Sequence, residues 1–141
     1  MPECRVTLST AQLNLVDGTW TLVLYDTEQF DIGSNFNTGT HKFIAPIPGK
    51  YQIVNMLNWV DTSIVADKSY ATAYLVGVIY QQVSYQQASM VGSVTNTLLD
   101  VVTLAIGDEV TIWAKSNAGV NTIDIQAALY YPVIIKLISK T

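Results

Sequence analysis

The sequence predicts an all-β domain, either a sandwich or a barrel. Three observations carry this. Val, Ile, Thr and Tyr dominate the apolar stretches, and no stretch shows a 3.6-residue apolar period. Short runs of period-two alternation are punctuated by turn residues: Asp17-Gly18, Pro48-Gly49 and Gly107-Asp108. No helical pattern lies between the runs, so strands must pack on strands rather than under crossover helices. The chain has 141 residues with no internal repeat or shift in composition, and residues 1–141 read as a single domain.

The elements follow in order. "CRVTLS" points Val6 and Leu8 inward and Arg5 and Thr7 outward. "TWTLVLYD" places Trp20, Leu22 and Leu24 on one face and Thr21, Val23 and Tyr25 on the other. "HKFIAPI" is a short strand closed by Pro46, because proline cannot donate to a central ladder. Pro48-Gly49 then turns the chain, with Gly49 free to take a positive φ if the turn needs one. "KYQIVNMLNWV" sets Tyr51, Ile53, Leu57 and Trp59 on one face and Val54, Met56 and Val60 on the other. "SYATAYLVGVIYQQ" is the next strand, and the polar "QQVSYQQ" suits a loop or hairpin end. "SVTNTLLDVVTLAIGDEVTIWAKSN" reads as two strands joined at Gly107-Asp108. The stretch from Asn121 to Ile138 reads as one last strand, with Ile123, Ile125, Ala127 and Leu129 on one side.

Composition narrows the function classes. Half the residues are apolar and only 13% are charged, against an ordinary share of about 25%. Several strands are apolar on both faces, whereas a sandwich strand normally turns one face to water. The second face needs a cover, and a neighbouring subunit is the economical candidate. The net charge is −4 and the 7 Lys and Arg residues are scattered, so no basic patch exists to neutralise phosphates and nucleic acid is excluded as a partner. Cys4 is alone, which rules out an intrachain disulfide and a cysteine zinc site. It reads as a small packed residue of the first strand. Glu3 and Arg5 stand where a signal peptide needs an apolar core, and no apolar run approaches the ~20 residues of a membrane span. The expectation is a chain with no signal peptide, no transmembrane segment and no membrane insertion.

Candidate chemistry is sparse. His41 is the only histidine and reads as a strand-edge polar residue rather than a member of a triad. Asp26, Glu28 and Asp31 crowd what reads as one loop and are candidate calcium ligands, although such clusters more often form solvated turns. No phosphate-binding glycine loop or paired histidine ligands occur, so no enzyme and no cofactor beyond that calcium is expected.

Taken in order, "TWTLVLYDTEQFDIGSNFN", "HKFIAPIPGKYQIVNML" and "LAIGDEVTIWAKSN" resemble the C1q/tumour necrosis factor-like jelly roll, and most closely its bacterial and bacteriophage members. The resemblance rests on Trp20, Phe30-Asp31, Gly33, Phe36, Phe43 ahead of Ala45-Pro46, Gly49 ahead of Tyr51, and Leu104, Gly107-Asp108 and Val110. It departs in the last strand, where "ALYYPVIIKLI" replaces the family's aromatic-Gly-aromatic stretch. The resemblance implies a ten-stranded, two-sheet jelly roll forming a compact homotrimer, its inner sheet packed subunit against subunit. Tyr51, Ile53, Leu57, Trp59, Leu129 and Tyr131 are then the residues expected at the trimer interface or in the core. It further implies a non-enzymatic structural or binding module. One reading is a virion-surface protein, a bacteriophage capsid-decoration or fibre-head protein with a capsid or fibre partner. The alternative is an extracellular head binding a glycan or cell-surface receptor, with Tyr80, Gln81, Gln82 and Tyr85 in its ligand loop and Trp113 and Tyr70 as weaker candidates.

Overall fold

A computed structural model of the chain describes residues 1–60, 68–88, 93–120 and 122–141, with the side chains of Val60 and Ser93 outside the description. Thirteen strands and no helix occur among the described residues. They are β1 (Glu3–Thr7), β2 (Gln12–Val16), β3 (Thr21–Leu22), β4 (Thr27–Ile32), β5 (Phe36–Asn37), β6 (Lys42–Ile44) and β7 (Gly49–Val60). Then come β8 (Ser69–Val76), β9 (Ile79–Gln87), β10 (Ser93–Leu104), β11 (Glu109–Asn117), β12 (Thr122–Ile125) and β13 (Val133–Lys140). The thirteen exceed the ten expected because several are two- or three-residue fragments.

The strands form two sheets, and every strand pairing among the described residues is antiparallel. The seven-stranded sheet runs β2-β12-β7-β13-β1-β4, with β10 on the other edge of β7. The six-stranded sheet runs β5-β6-β11-β8-β9, with β3 also on β11. Strand β7 is the spine: β10 pairs with it along all twelve residues, from Ser93↔Val60 to Leu104↔Gly49, while β12 and β13 share its opposite edge.

The alternation read from the sequence of β7 places its residues as expected. Tyr51, Ile53, Leu57 and Trp59 are fully buried between the sheets, and Val54 and Met56 lie on the other face, half-buried. The Val60 side chain lies outside the described residues. In the earlier segment the core face is Val23 and Tyr25, both buried, whereas Leu24 is exposed. Thr7, expected outward, is buried. The β1–β4 register slips between Arg5 and Val6, and such a bulge breaks the simple alternation.

The Pro-Gly corner works differently from the expectation. Gly49 is not among the residues with positive φ. A Cβ there would sit 2.4 Å from the Ser139 carbonyl oxygen and 2.6 Å from Leu137 Cδ1. Gly49 is therefore required by the close approach of β13. Gly107 does take a positive φ, of 87°, and its turn is tied to the proline corner. Gly107 N donates to the Ala45 carbonyl, and Ala45 N donates to that of Asp108. The Asp108 carboxylate accepts from Ala105 N at 2.8 Å, closing the turn. The Tyr51 hydroxyl donates to the Ile47 carbonyl at 2.8 Å, and its ring meets Phe43 edge-on at 5.7 Å.

Two expected elements need correction. The "QQVSYQQ" stretch is not a loop but most of strand β9; the turn falls earlier, at Gly77-Val78, with Gly77 at φ 61°. The last stretch is two strands rather than one. β12 ends at Ile125, and residues 126–132 cross to β13 through a turn in which Tyr131 N donates to the Ala128 carbonyl. Pro132, which has no N–H for a ladder, stands at that break. Asn121 lies outside the described residues.

Candidate interaction faces

Polar side chains cross the core and fix how the two sheets face one another. Asn55 of β7 accepts from the Tyr25 hydroxyl at 2.5 Å and donates to Thr72 Oγ1 of β8 at 2.6 Å. Thr72 donates onward to the Trp113 carbonyl. In a second network, Trp59 Nε1 donates to Asn96 Oδ1 of β10 at 2.8 Å, and Asn96 Nδ2 donates to the carbonyls of Tyr70 and Ser84. These amides are buried among apolar side chains, where an unpaired polar group would be costly. Burial raises the Tyr25 hydroxyl pKa well above its ordinary value, so it remains a donor. The buried asparagines were missed by composition, which assigns Asn to the surface. The alternation of β7 carries the signal, since Asn55 falls on the same face as Ile53 and Leu57.

With the core so defined, the remaining positions make two outward faces. On the seven-stranded sheet, cross-strand register aligns Phe30, Arg5, Ile134, Val54 and Leu99 as one row across β4, β1, β13, β7 and β10. The next row is Ile32, Glu3, Lys136, Gln52 and Val101. Leu99 is 58% exposed, Val101 50% and Ile32 54%. The charges in these rows are internally engaged. Lys136 lies 3.9 Å from Glu3, and Arg5 donates to the Leu129 carbonyl at 2.9 Å.

On the six-stranded sheet the outward rows are aromatic. Trp113 of β11 registers with Ala73 of β8 and then Val83 of β9, and Lys115 with Ala71 and then Tyr85. A third row carries Thr111, Leu75 and Tyr80. Trp20, just ahead of β3, brings its ring centroid 5.5 Å from that of Tyr80, and the Lys115 amine lies 5.8 Å from the Trp20 ring.

The other candidate residues are placed as follows. Tyr70 is buried in the core, its ring tilted against that of Trp59 at 5.7 Å, and so is removed from any ligand surface. Tyr80, Gln81, Gln82 and Tyr85 all lie on exposed strand β9. Register points Tyr80 and Tyr85 to the outward face, and Gln82 pairs with core-facing Tyr74. Leu129 is exposed and Tyr131 half-buried, both in the connection between β12 and β13. Asp26, Glu28 and Asp31 lie in or beside strand β4 rather than in a loop. Asp26 accepts from Ser9 N, Ser9 Oγ and Thr27 Oγ1, while Asp31 accepts from Asn35 N and Phe36 N. Among the described residues no three His, Cys, Asp or Glu side chains converge as a metal site.

Cys4 is buried in β1. Desolvation, with the nearby Asp31 charge adding to it, pushes its thiol up to about 12, so it is held protonated and inert. His41 sits in the left-handed region at φ 60°, its Nδ1 2.9 Å from the Tyr25 carbonyl oxygen, as a turn residue leading into β6. An open cleft of about 520 Å³ lies over residues 34–38 with Ile44 and Pro46. Its Asn35 and Asn37 side chains bond to their own turns.

The globular domain of zebrafish complement 1qA protein superposes on this chain with a TM-score of 0.70, at 17% identity, over 100% of both chains. The fold is the C1q/tumour necrosis factor-like jelly roll. Murine APRIL at pH 5.0 matches this jelly roll with a TM-score of 0.68, at 10% identity, over 96% of this chain and 98% of its own. The Eiger TNF of S. frugiperda matches at 0.65 and 9%, over 99% of this chain and 92% of its own. No protein-family profile and no curated protein matches the chain in sequence. The likeness thus lies in backbone architecture, with side chains on both outward faces free to differ. No helix among the described residues is long and apolar enough to cross a membrane.

Proposed function

We propose that this chain is a non-enzymatic homotrimeric head in which the outward face of the seven-stranded sheet packs against neighbouring subunits. We further propose that the trimer is a surface component of a virus particle, a capsid-decoration or fibre-head protein of a bacteriophage. The observation that carries the assembly is the row of Phe30, Ile134, Val54 and Leu99, bordered by Ile32 and Val101. The row crosses five strands, roughly 20 Å at a spacing of roughly 4.8 Å, and is apolar on four of them, with Arg5 at the β1 position. A monomer would leave it wet, and a band of that extent on a sheet face is what subunit contacts use. Its few charges bond within their own chain, so a second copy can cover the band without stranding an unpaired ion.

The likeness to C1q and TNF-type domains supports a binding module over an enzyme. The particle role rests on the proposed trimer, since capsid shells have threefold positions that a trimer fits by symmetry. Purified particles of the virus that encodes the chain test that role by quantitative mass spectrometry and image reconstruction. The expected result is a stoichiometric chain at threefold positions or at a fibre tip; particles lacking it overturn the role.

A further inference from the structure

The outward face of the six-stranded sheet lies across the sandwich from the band assigned to subunit packing. Its side chains have a different chemistry. Ala71 and Ala73 form a fully buried, small-residue floor in the middle of the sheet. Around that floor, cross-strand register sets Trp113 beside Ala73 and Tyr85 beside Ala71, while Trp20 and Tyr80 meet at 5.5 Å. The polar atom of Trp113 is already used, since Nε1 donates to Thr111 Oγ1 at 2.9 Å, which fixes the indole by its edge. The hydroxyls of Tyr80 and Tyr85 make no hydrogen bond to the described residues. Both tyrosines are exposed, at 45% and 62%.

Flat aromatic faces with unspent hydroxyls at their rim match a sugar chain. The apolar C–H face of a pyranose stacks on a ring, and its hydroxyls exchange hydrogen bonds with phenol groups. Trp113 and Tyr85 stand two strands apart, roughly 10 Å, so a ligand touching both must be an extended chain of rings. Charge then selects among sugars. Lys115 is in the middle of this surface, its amine on the Trp20 ring, and makes no ion pair among the described residues. The Asp17 carboxylate accepts from Ser116 Oγ, Ala118 N and Gly119 N, so it is engaged elsewhere. A lone, unneutralised cation among stacking rings complements a carboxylate on the sugar.

We propose that this face binds a carboxylate-bearing polysaccharide, with sugar rings on Trp20, Trp113, Tyr80 and Tyr85 and a uronate carboxylate paired with Lys115. The site is separate from the subunit-packing band, so its test stands whether or not the chain trimerises. The net charge of −4 repels a polyanion, so overall charge works against non-specific capture.

Affinity electrophoresis and titration calorimetry of the full chain would use polygalacturonate, with dextran as the neutral control. Polygalacturonate should bind and dextran should bind more weakly. Tyr85→Ala and Tyr80→Ala should each weaken polygalacturonate binding by about tenfold, the loss of one stacking ring. Lys115→Gln should remove the preference for the acidic polymer over the neutral one. Circular dichroism would verify that each variant keeps the wild-type spectrum. No binding of polygalacturonate overturns the proposal, as does binding unchanged in both tyrosine variants. Equal binding of the two polymers by wild-type protein overturns the role given to Lys115.

Discussion

Strands β7 and β9 are both long and both carry tyrosine, glutamine and aliphatic residues, yet they live in opposite environments. β7 is the spine of its sheet, with strands on both edges, and its core-facing Tyr51, Ile53, Asn55 and Trp59 are 0% exposed. β9 ends its sheet, and most of its residues meet solvent. The difference is position within the sheet, not composition alone. A central strand has both edges and one face taken by protein, so each side chain is held by packing. An edge strand is held chiefly by one ladder, and its side chains remain available to something else.

Deleting a large ring from β7 gives the largest expected effect. Trp59→Ala or Tyr51→Ala should cost about 3–5 kcal/mol in chemical denaturation, the range for a large buried aromatic; a change below about 1 kcal/mol would remove those rings from the core. Asn55→Ala comes next. It leaves the Tyr25 hydroxyl and Thr72 without their shared amide, at a cost of about 2–3 kcal/mol for buried groups left unsatisfied. A change within about 0.5 kcal/mol would show that the network is dispensable.

Neither strand contains a carboxylate, so acid sensitivity must arise elsewhere, in the turns. Partial burial raises the Asp17 carboxyl, but bonds from Ser116, Ala118, Gly119 and Val120 outweigh this and hold it below its ordinary value of 3.8. Asp26 is likewise lowered: partial burial raises it, and the bonds from Ser9 and Thr27 together with His41 outweigh that. Their stabilising contribution is complete above pH 3.8 and is lost as pH falls through the lower folded value. Stability measured against pH should therefore fall below about pH 4, and less steeply in Asp17→Asn. An unchanged slope would contradict the role of that turn. The smallest effect belongs to β9. Tyr85→Ala should change stability by no more than about 0.5 kcal/mol, and a larger loss would mean the ring is structural.

The same contrast explains what could be read from the sequence. β7 was legible because burial on one face imposes strict alternation, and Pro46 and Gly107-Asp108 mark the corners around it. β9 was not, because an exposed edge strand tolerates Gln, Ser and Tyr on either face and so has the composition of a loop. The role of Gly49 was also hidden, since a close approach by β13 leaves no local trace in the sequence around residue 49. The aromatic face is a third case. Trp20, Tyr80, Tyr85 and Trp113 are far apart in the chain, and only the pairing of β11 with β3 and β8, and of β8 with β9, brings them together. The apolar band on the other sheet was foreshadowed by Val54 and Met56, but Phe30, Leu99 and Val101 join it through register alone.

Everything proposed for assembly rests on that band being covered by further copies of the chain. Multi-angle light scattering of the purified protein at micromolar concentration measures this directly. The expected result is a particle of three times the 15.5 kDa chain mass, reduced towards a single chain by a charge placed in the band, as in Leu99→Glu. A wild-type mass of one chain at that concentration would contradict it.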